Sequence, residues 1–323
     1  MIPYSQLHEG PRVNFAEAAP LSWPLTIYLE PTNVCNMECS FCPHGIEDYE
    51  ARAGYSEHMP FDLYARLIGE IAAAGGVRAL KLYFFGEPLL HPRIEDMLWL
   101  ASRASERVEV TTNGTALTEK VAKAMIAAKT GYLRVSIYRE YEKYSWLILR
   151  NVRRLREMRD DSGAERPAIF VKCFSPADVP DLTMRYEGVA DEVGVERFHS
   201  IGSDCIPVEA LTGKQKACAF PFYTLVIKAN GDAVPCCVAW EKSLVVGNAN
   251  QSTIRELWTS ERMREIQRLH LSGKRCSLAA CKDCDTLHNT SDSVDALSPA
   301  EFDRRLIVVR KIENSTWKAA CAS

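Results

Sequence analysis

Three cysteines stand at spacings of four and three residues in Cys35-Asn-Met-Glu-Cys39-Ser-Phe-Cys42. Thiolates spaced this way on one loop can face a common centre. Three of them on a four-iron cluster leave one iron open to chelate a substrate group, whereas a closed four-thiolate cluster only passes electrons. A zinc site made from the same cysteines and His44 is the alternative, although His44 lies so close to Cys42 that the chelate would be cramped. A second group comprises Cys218, Cys236, Cys237, Cys276, Cys281 and Cys284 and ends in a Cys-x2-Cys pair. Cys173, Cys205 and Cys321 stand apart, and for the first two packing as small hydrophobes is the simpler role.

Twelve cysteines in 323 residues are many for a reducing compartment. In a secreted chain they would read as a disulfide framework. The N-terminus, Met1 to Asn14, lacks the basic start and apolar block of a secretory signal, so a cytoplasmic protein that ligates metal is expected. The net charge of −3 gives no general case for nucleic acid or an anionic membrane. Apolar runs such as Tyr83-Phe84-Phe85 are far too short to span a bilayer.

The elements that must position these thiols alternate between strand and helix patterns. Strands are expected at Thr26–Glu30, Ala79–Phe84, Val108–Thr112, Leu133–Tyr138, Ala168–Phe174 and Val195–Ile201. Their Val, Ile, Tyr and Phe content suggests parallel strands covered on both faces. Between them, Leu63, Leu67 and Ile71 repeat at helical spacing, Thr118 can cap a helix through Ala128, and Val152, Leu155 and Met158 mark a helix over Tyr144–Arg159. The basic run beginning at Arg150 keeps helical apolar spacing and reads as a solvated helix face. This is an α/β pattern with a parallel sheet and outer helices, either open or curled into a partial barrel, with ligands at the C-terminal strand ends. Beyond it, Thr224–Lys228, the Asn230-Gly231-Asp232 turn and Ala233–Cys236 read as a hairpin. A helix over Thr253–Leu271, capped by Ser252 or Thr253, and another over Pro299–Lys311 complete the chain. The expected organisation is an extension over 1–23, a barrel over 24–207, a small α+β cluster domain over 208–290 and a tail over 291–323.

The Cys-x3-Cys-x2-Cys run after a first strand, with Phe41 before the third cysteine, resembles the signature of the radical S-adenosylmethionine superfamily. Phe85-Gly86-Glu87-Pro88 is similar to that family's GGEP motif, with Phe85 in place of the first glycine. Thr112-Asn113-Gly114 and Val135-Ser136-Ile137 resemble its third and fourth strand ends. The resemblance implies a partial (β/α)6 barrel and a [4Fe-4S] cluster on Cys35, Cys39 and Cys42 whose open iron takes S-adenosylmethionine. It also implies cofactor contacts from Phe41, Gly86, Glu87, Asn113 and Ser136. The later cysteines resemble a SPASM or twitch domain, which implies one auxiliary [4Fe-4S] cluster on Cys218, Cys236, Cys281 and Cys284. Cys237 and Cys276 have no place in that pattern, and Cys237 can instead face the active site.

The resemblance further implies a 5′-deoxyadenosyl radical and a flavodoxin- or ferredoxin-type electron donor. Hydrogen taken from a carbinol carbon, with loss of the hydroxyl proton, leaves a strongly reducing radical that an adjacent cluster can oxidise to a ketone. This is the chemistry of aminocyclitol dehydrogenases in antibiotic pathways, and the expected substrate is a small polar sugar or aminocyclitol. The hydroxyl proton needs a base, for which His199 and then Lys172 are the candidates. Epimerisation, with Cys237, Cys205 or Cys173 returning hydrogen, is the alternative, and a non-catalytic zinc protein is the alternative of another class. Peptide modification is not expected, because few residues precede the first strand. The chain between Tyr138 and the helix at Tyr144 is short for this family, so no residue of Arg139–Lys143 is expected to be catalytic.

Overall fold

A computed structural model describes residues 13–196, 217–282, 284 and 293–320, with side chains described as far as 309. Six strands run parallel in order: β1 (Thr26–Leu29), β2 (Ala79–Lys81), β3 (Val108–Thr112), β4 (Tyr132–Ser136), β5 (Ala168–Cys173) and β6 (Glu192–Val195). The sheet is open, as a partial barrel is. Helices Phe61–Ala73, Ile94–Ala101, Glu119–Ala127 and Ser145–Asp161 connect successive strands. Thr118 caps its helix, accepting from the Val121 N–H at 3.3 Å.

Side chains alternate across a strand, so register decides what each face carries. On one face Ile27 pairs with Leu80, Leu80 with Val108, Leu133 with Val110 and Ile169, and Val135 with Val171. All are buried, and the helices cover them. The other face differs from the expectation of strands apolar on both sides. Tyr28 pairs with Lys81, Lys81 with Glu109, Thr111 with Arg134, and Ser136 with Lys172. This inner face carries polar and charged side chains in place of an apolar layer.

Glu109 is fully buried there. Arg107 Nε lies 2.6 Å, Arg134 Nη2 3.1 Å and Lys81 Nζ 3.5 Å from its carboxylate. Burial works against the charge, but the three cations outweigh it and hold the carboxyl down to about 2.

The hairpin does not stand alone. β7 (Thr224–Ile227) pairs in parallel with β1, from Thr26↔Thr224 to Leu29↔Ile227. The antiparallel β8 (Asp232–Val234) and β9 (Gly247–Asn248) follow, making one nine-stranded sheet. One apolar core accordingly runs from Ile27 and Leu80 to Leu257, Trp258 and Ile266.

Four expectations need correction. The sixth strand is Glu192–Val195 rather than Val195–Ile201, and His199 lies outside the described residues, as does Cys205. β2 and β4 stop short of Phe84 and Tyr138, where the chain turns into site loops. The helix expected over Thr253–Leu271 is two helices, Ile254–Thr259 and Glu261–Leu271. They break at Ser260, whose backbone is extended (ψ 149°) and whose hydroxyl accepts from the Met263 N–H at 3.2 Å. A serine that offers its own acceptor competes with helix continuation, and apolar periodicity does not register this. The last helix runs on to Ala320.

Glu109→Ala is expected to lower stability by about 3–5 kcal/mol, because it leaves buried cations without their anion. Urea unfolding at neutral pH measures this. The carboxyl lies lower in the folded chain than its ordinary 4.5, so its contribution is complete above pH 4.5 and is withdrawn as pH falls towards 2. The parent's stability should therefore fall in that window more steeply than the variant's.

Candidate cluster sites and the face between them

The loop after β1 carries Cys35, Cys39 and Cys42. It is closed by Cys42 N–H to Cys39 O at 2.8 Å and Gly45 N–H to Cys42 O at 2.9 Å. Asn33 ties its start to the chain beyond, donating to Tyr55 O at 2.7 Å and accepting from Glu57 N–H at 2.8 Å. The three thiols are near enough to disfavour one another's charge. Burial, aided by that repulsion, pushes Cys35 up to about 12, and burial pushes Cys42 up to about 11. Thiols so disposed ionise readily only beside a cation, which is what a metal group supplies. The short turn Arg139–Tyr144 covers this loop: Tyr141 Oη accepts from Glu38 N–H at 2.8 Å and the Glu140 carboxylate from Ser40 N–H at 3.2 Å. His44 packs against Tyr49 with ring centroids 4.1 Å apart and the planes tilted by 42°.

Gly86 and Glu87 hold the next loop against this one. A Cβ on Gly86 would lie 2.0 Å from Thr32 O, and Glu87 N–H donates to Val34 O at 3.0 Å. The Glu87 carboxylate is buried and accepts from Thr112 Oγ1 at 2.6 Å, Asn113 N–H at 2.7 Å and Leu89 N–H at 3.1 Å. Its oxygens are thus taken up in joining the second strand end to the third. Asn113 in turn donates to Asn36 Oδ1 at 2.8 Å, inside the cysteine loop. Phe41 packs against Tyr138 and Phe174, at 4.9 and 5.3 Å between centroids, from the ends of β4 and β5. Ser136 is buried at the end of β4 beside Lys172. The expected cofactor residues therefore surround one loop cluster. Asn33, Asn36 and Thr112 were not singled out from the sequence, although Asn36 and Thr112 lie within motifs given above.

Lys172 forms an ion pair with Glu196. Burial raises Glu196, but Lys172, Arg134 and Lys81 outweigh it and hold the carboxylate at about 2.

In the C-terminal part, Cys218, Cys236, Cys281 and Cys284 border one cavity, with Pro221, Leu244 and Ile266 among its apolar walls. Among the described residues no three His, Cys, Asp or Glu side chains converge on a single metal ion. Four cysteines bordering one apolar cavity fit a group of several irons held through thiolates. Burial pushes Cys281 up to about 12 and Cys218 higher still, so these thiols too need a cation to ionise. The Cys237 thiol lies beside the Cys236 thiol and the Tyr28 hydroxyl, on the polar face of the sheet, and these neighbours hold it below the usual thiol range. Lys81 Nζ donates to the same hydroxyl at 3.2 Å. Cys276 is exposed, and Cys173 is packed in the core.

Gly86→Ala is expected to displace the Thr32–Asn33 backbone and with it the first cysteine loop. Iron bound through Cys35, Cys39 and Cys42 should be lost, while iron in the C-terminal cavity remains. Iron and acid-labile sulfide per chain, in the variant and in Gly86→Ala combined with Cys218→Ala, separate the two.

Comparison with known proteins accords with this geometry. Residues 29–160 match the radical SAM superfamily, and residues 218–285 match the SPASM iron–sulfur cluster-binding domain. The S-adenosyl-L-methionine-dependent 2-deoxy-scyllo-inosamine dehydrogenase of Niallia circulans is 21% identical, over 81% of this chain and 92% of its own. A Pyrococcus furiosus protein that modifies the cofactor of a tungsten-containing aldehyde ferredoxin oxidoreductase is 22% identical, over 86% and 90%. The structure of BtrN with AdoMet and 2-DOIA superposes with a TM-score of 0.58 at 19% identity, covering 84% of this chain and 95% of that one. Streptococcus suis SuiB bound to S-adenosylmethionine gives 0.58 at 15% identity, over 87% and 77%. The non-catalytic zinc alternative falls with these matches, and no described helix is long and apolar enough to cross a membrane. The chain thus carries a radical SAM domain over residues 29–160 and a SPASM iron–sulfur cluster-binding domain over residues 218–285, and it is an enzyme.

Proposed function

We propose that this enzyme oxidises a carbinol carbon of a small aminocyclitol or related sugar to a ketone. The observation that carries the reading is the adjacency of Cys236 and Cys237. Cys236 borders the C-terminal cavity, while Cys237 reaches Tyr28 on the polar inner face. An electron acceptor and a substrate chamber are thereby set one residue apart. The similarity to an aminocyclitol dehydrogenase along most of both chains supports the substrate class.

In this reading Cys35, Cys39 and Cys42 hold the first cluster, and the Gly86–Glu87 backbone, Asn113, Ser136 and Phe41 hold S-adenosylmethionine. Cys218, Cys236, Cys281 and Cys284 hold a single auxiliary cluster. When loaded, the first site supplies a 5′-deoxyadenosyl radical that takes the carbinol hydrogen, and the auxiliary site supplies an acceptor for one electron. The protein's own part is to orient the carbinol, exclude water and remove one proton. The inner face offers Lys81, Arg134 and Lys172 as donors and Glu196 as acceptor to a polyhydroxylated amine. Lys172, paired with Glu196, is suited to holding the substrate oxygen rather than to taking its proton. That proton is assigned to His199. A flavodoxin- or ferredoxin-type protein would deliver the initiating electron.

The position of the Cys237 thiol beside Tyr28 favours one second reading, epimerisation, in which that thiol returns a hydrogen to the substrate radical. Anaerobic incubation with S-adenosylmethionine, reductant and a panel of aminocyclitols in deuterated water decides between them by mass spectrometry. Loss of two hydrogens with one 5′-deoxyadenosine per product is expected, and should survive in Cys237→Ala. Gain of one deuterium at carbon without oxidation, lost in Cys237→Ala, would establish the epimerase. In Cys218→Ala, 5′-deoxyadenosine should still form while ketone falls sharply.

A further inference from the structure

Two groups in the C-terminal cavity have no part in the reaction above: His270 and Arg275. Both are buried, at 1% and 6% exposure. His270 Nδ1 accepts from the Cys218 backbone N–H at 3.1 Å. A ring nitrogen that accepts carries no hydrogen, so the ring is neutral with its hydrogen on Nε2. Nε2 stands 3.7 Å from the Cys281 sulfur. The backbone of one cysteine thus fixes the tautomer that aims an N–H at the sulfur of another. Arg275 Nη1 donates to the Cys281 carbonyl at 2.5 Å, bringing a buried positive charge to the same residue.

We propose that His270 raises the reduction potential of the auxiliary cluster by donating its Nε2–H to the Cys281 thiolate, with Arg275 acting in the same direction. The inference rests on the assignment of Cys218 and Cys281 as ligands made above. Reduction adds negative charge to the cluster and its sulfurs, so a donor or a cation beside a ligand sulfur stabilises the reduced form more than the oxidised one. A site that must accept an electron from a substrate radical is better served by the higher potential. His270 is a positioning residue in this sense, since it acts through Cys281 and touches no substrate.

The test uses the full chain with Cys35, Cys39 and Cys42 replaced by Ala, so that only the auxiliary cluster loads. Iron and sulfide content come first: a protein without either overturns the ligand assignment and this role with it. A loaded protein is then titrated electrochemically with detection by electron paramagnetic resonance. His270→Leu is expected to shift the potential downward, and His270→Gln, which keeps an N–H donor, to fall between it and the parent. Arg275→Leu should also shift it downward. A loaded His270→Leu protein that titrates with the parent overturns the proposal. Should His270→Leu fail to take up iron, resonance Raman of the parent decides instead. Its iron–thiolate stretches should move on exchange into deuterated water, and bands that do not move overturn the proposal.

Discussion

The parallel pairing of β1 with β7 is the constraint on which the rest of this structure depends. β1 leads directly into the first cysteine loop, and β7 leads into the hairpin that brings Cys236 and Cys237. Four residues in register therefore fix the separation of two cluster sites that lie far apart in sequence. Glu30, at the end of β1, reinforces the junction. Its buried carboxylate accepts from Tyr55 Oη at 2.6 Å, Ala229 N–H at 3.0 Å and Phe85 N–H at 3.3 Å. One side chain thus gathers the chain beyond the cysteine loop, the second strand end and the start of the hairpin turn. Lys228, also fully buried, extends the junction to the Trp240 and Glu241 carbonyls at 2.7 and 3.0 Å.

The inner face shows what a parallel sheet can carry when it is not sandwiched between helices. Lys81, Glu109, Arg134 and Lys172 would be prohibitive singly in an apolar core. They are tolerated because opposite charges meet across neighbouring elements: Lys81 with Glu109 in register, Arg134 with Glu109 on the diagonal, and Lys172 with Glu196 just past β6. Pre-set charge of this kind is also what fixes a polar substrate without loss of freedom at the moment of reaction.

Much of this was legible in the sequence, for reasons that differ by residue. The first cysteine loop is local, so its spacing exposes it, and the strand-end motifs stand out through their resemblance to a family pattern. The hairpin showed itself through Asn230-Gly231, where Gly231 takes φ 89°. The Ser260 break was hidden, because a helix cap and an exposed serine within a helix look alike in a periodic pattern. Of the inner-face charges the sequence points to Lys172 alone; Lys81, Glu109 and Arg134 were overlooked since each strand holds just one or two charges among Val, Leu and Ile, and only the fold reveals that they meet. His270 was missed for a related reason. Its spacing with Met263, Ile266 and Gln267 marks a buried helix face, but nothing local says that the chain opposite is Cys218 and Cys281.

The alternation along each strand has a consequence for how such a protein changes over generations. In β4, Leu133 and Val135 secure the helix layer while Arg134 and Ser136 lie on the polar face. Stability and selectivity are thus written on interleaved positions of the same few residues. A lineage can rewrite one set for a new substrate and leave the other untouched. This makes the sheet a permissive scaffold for divergence, provided the compensating charge on the adjacent strand changes with it.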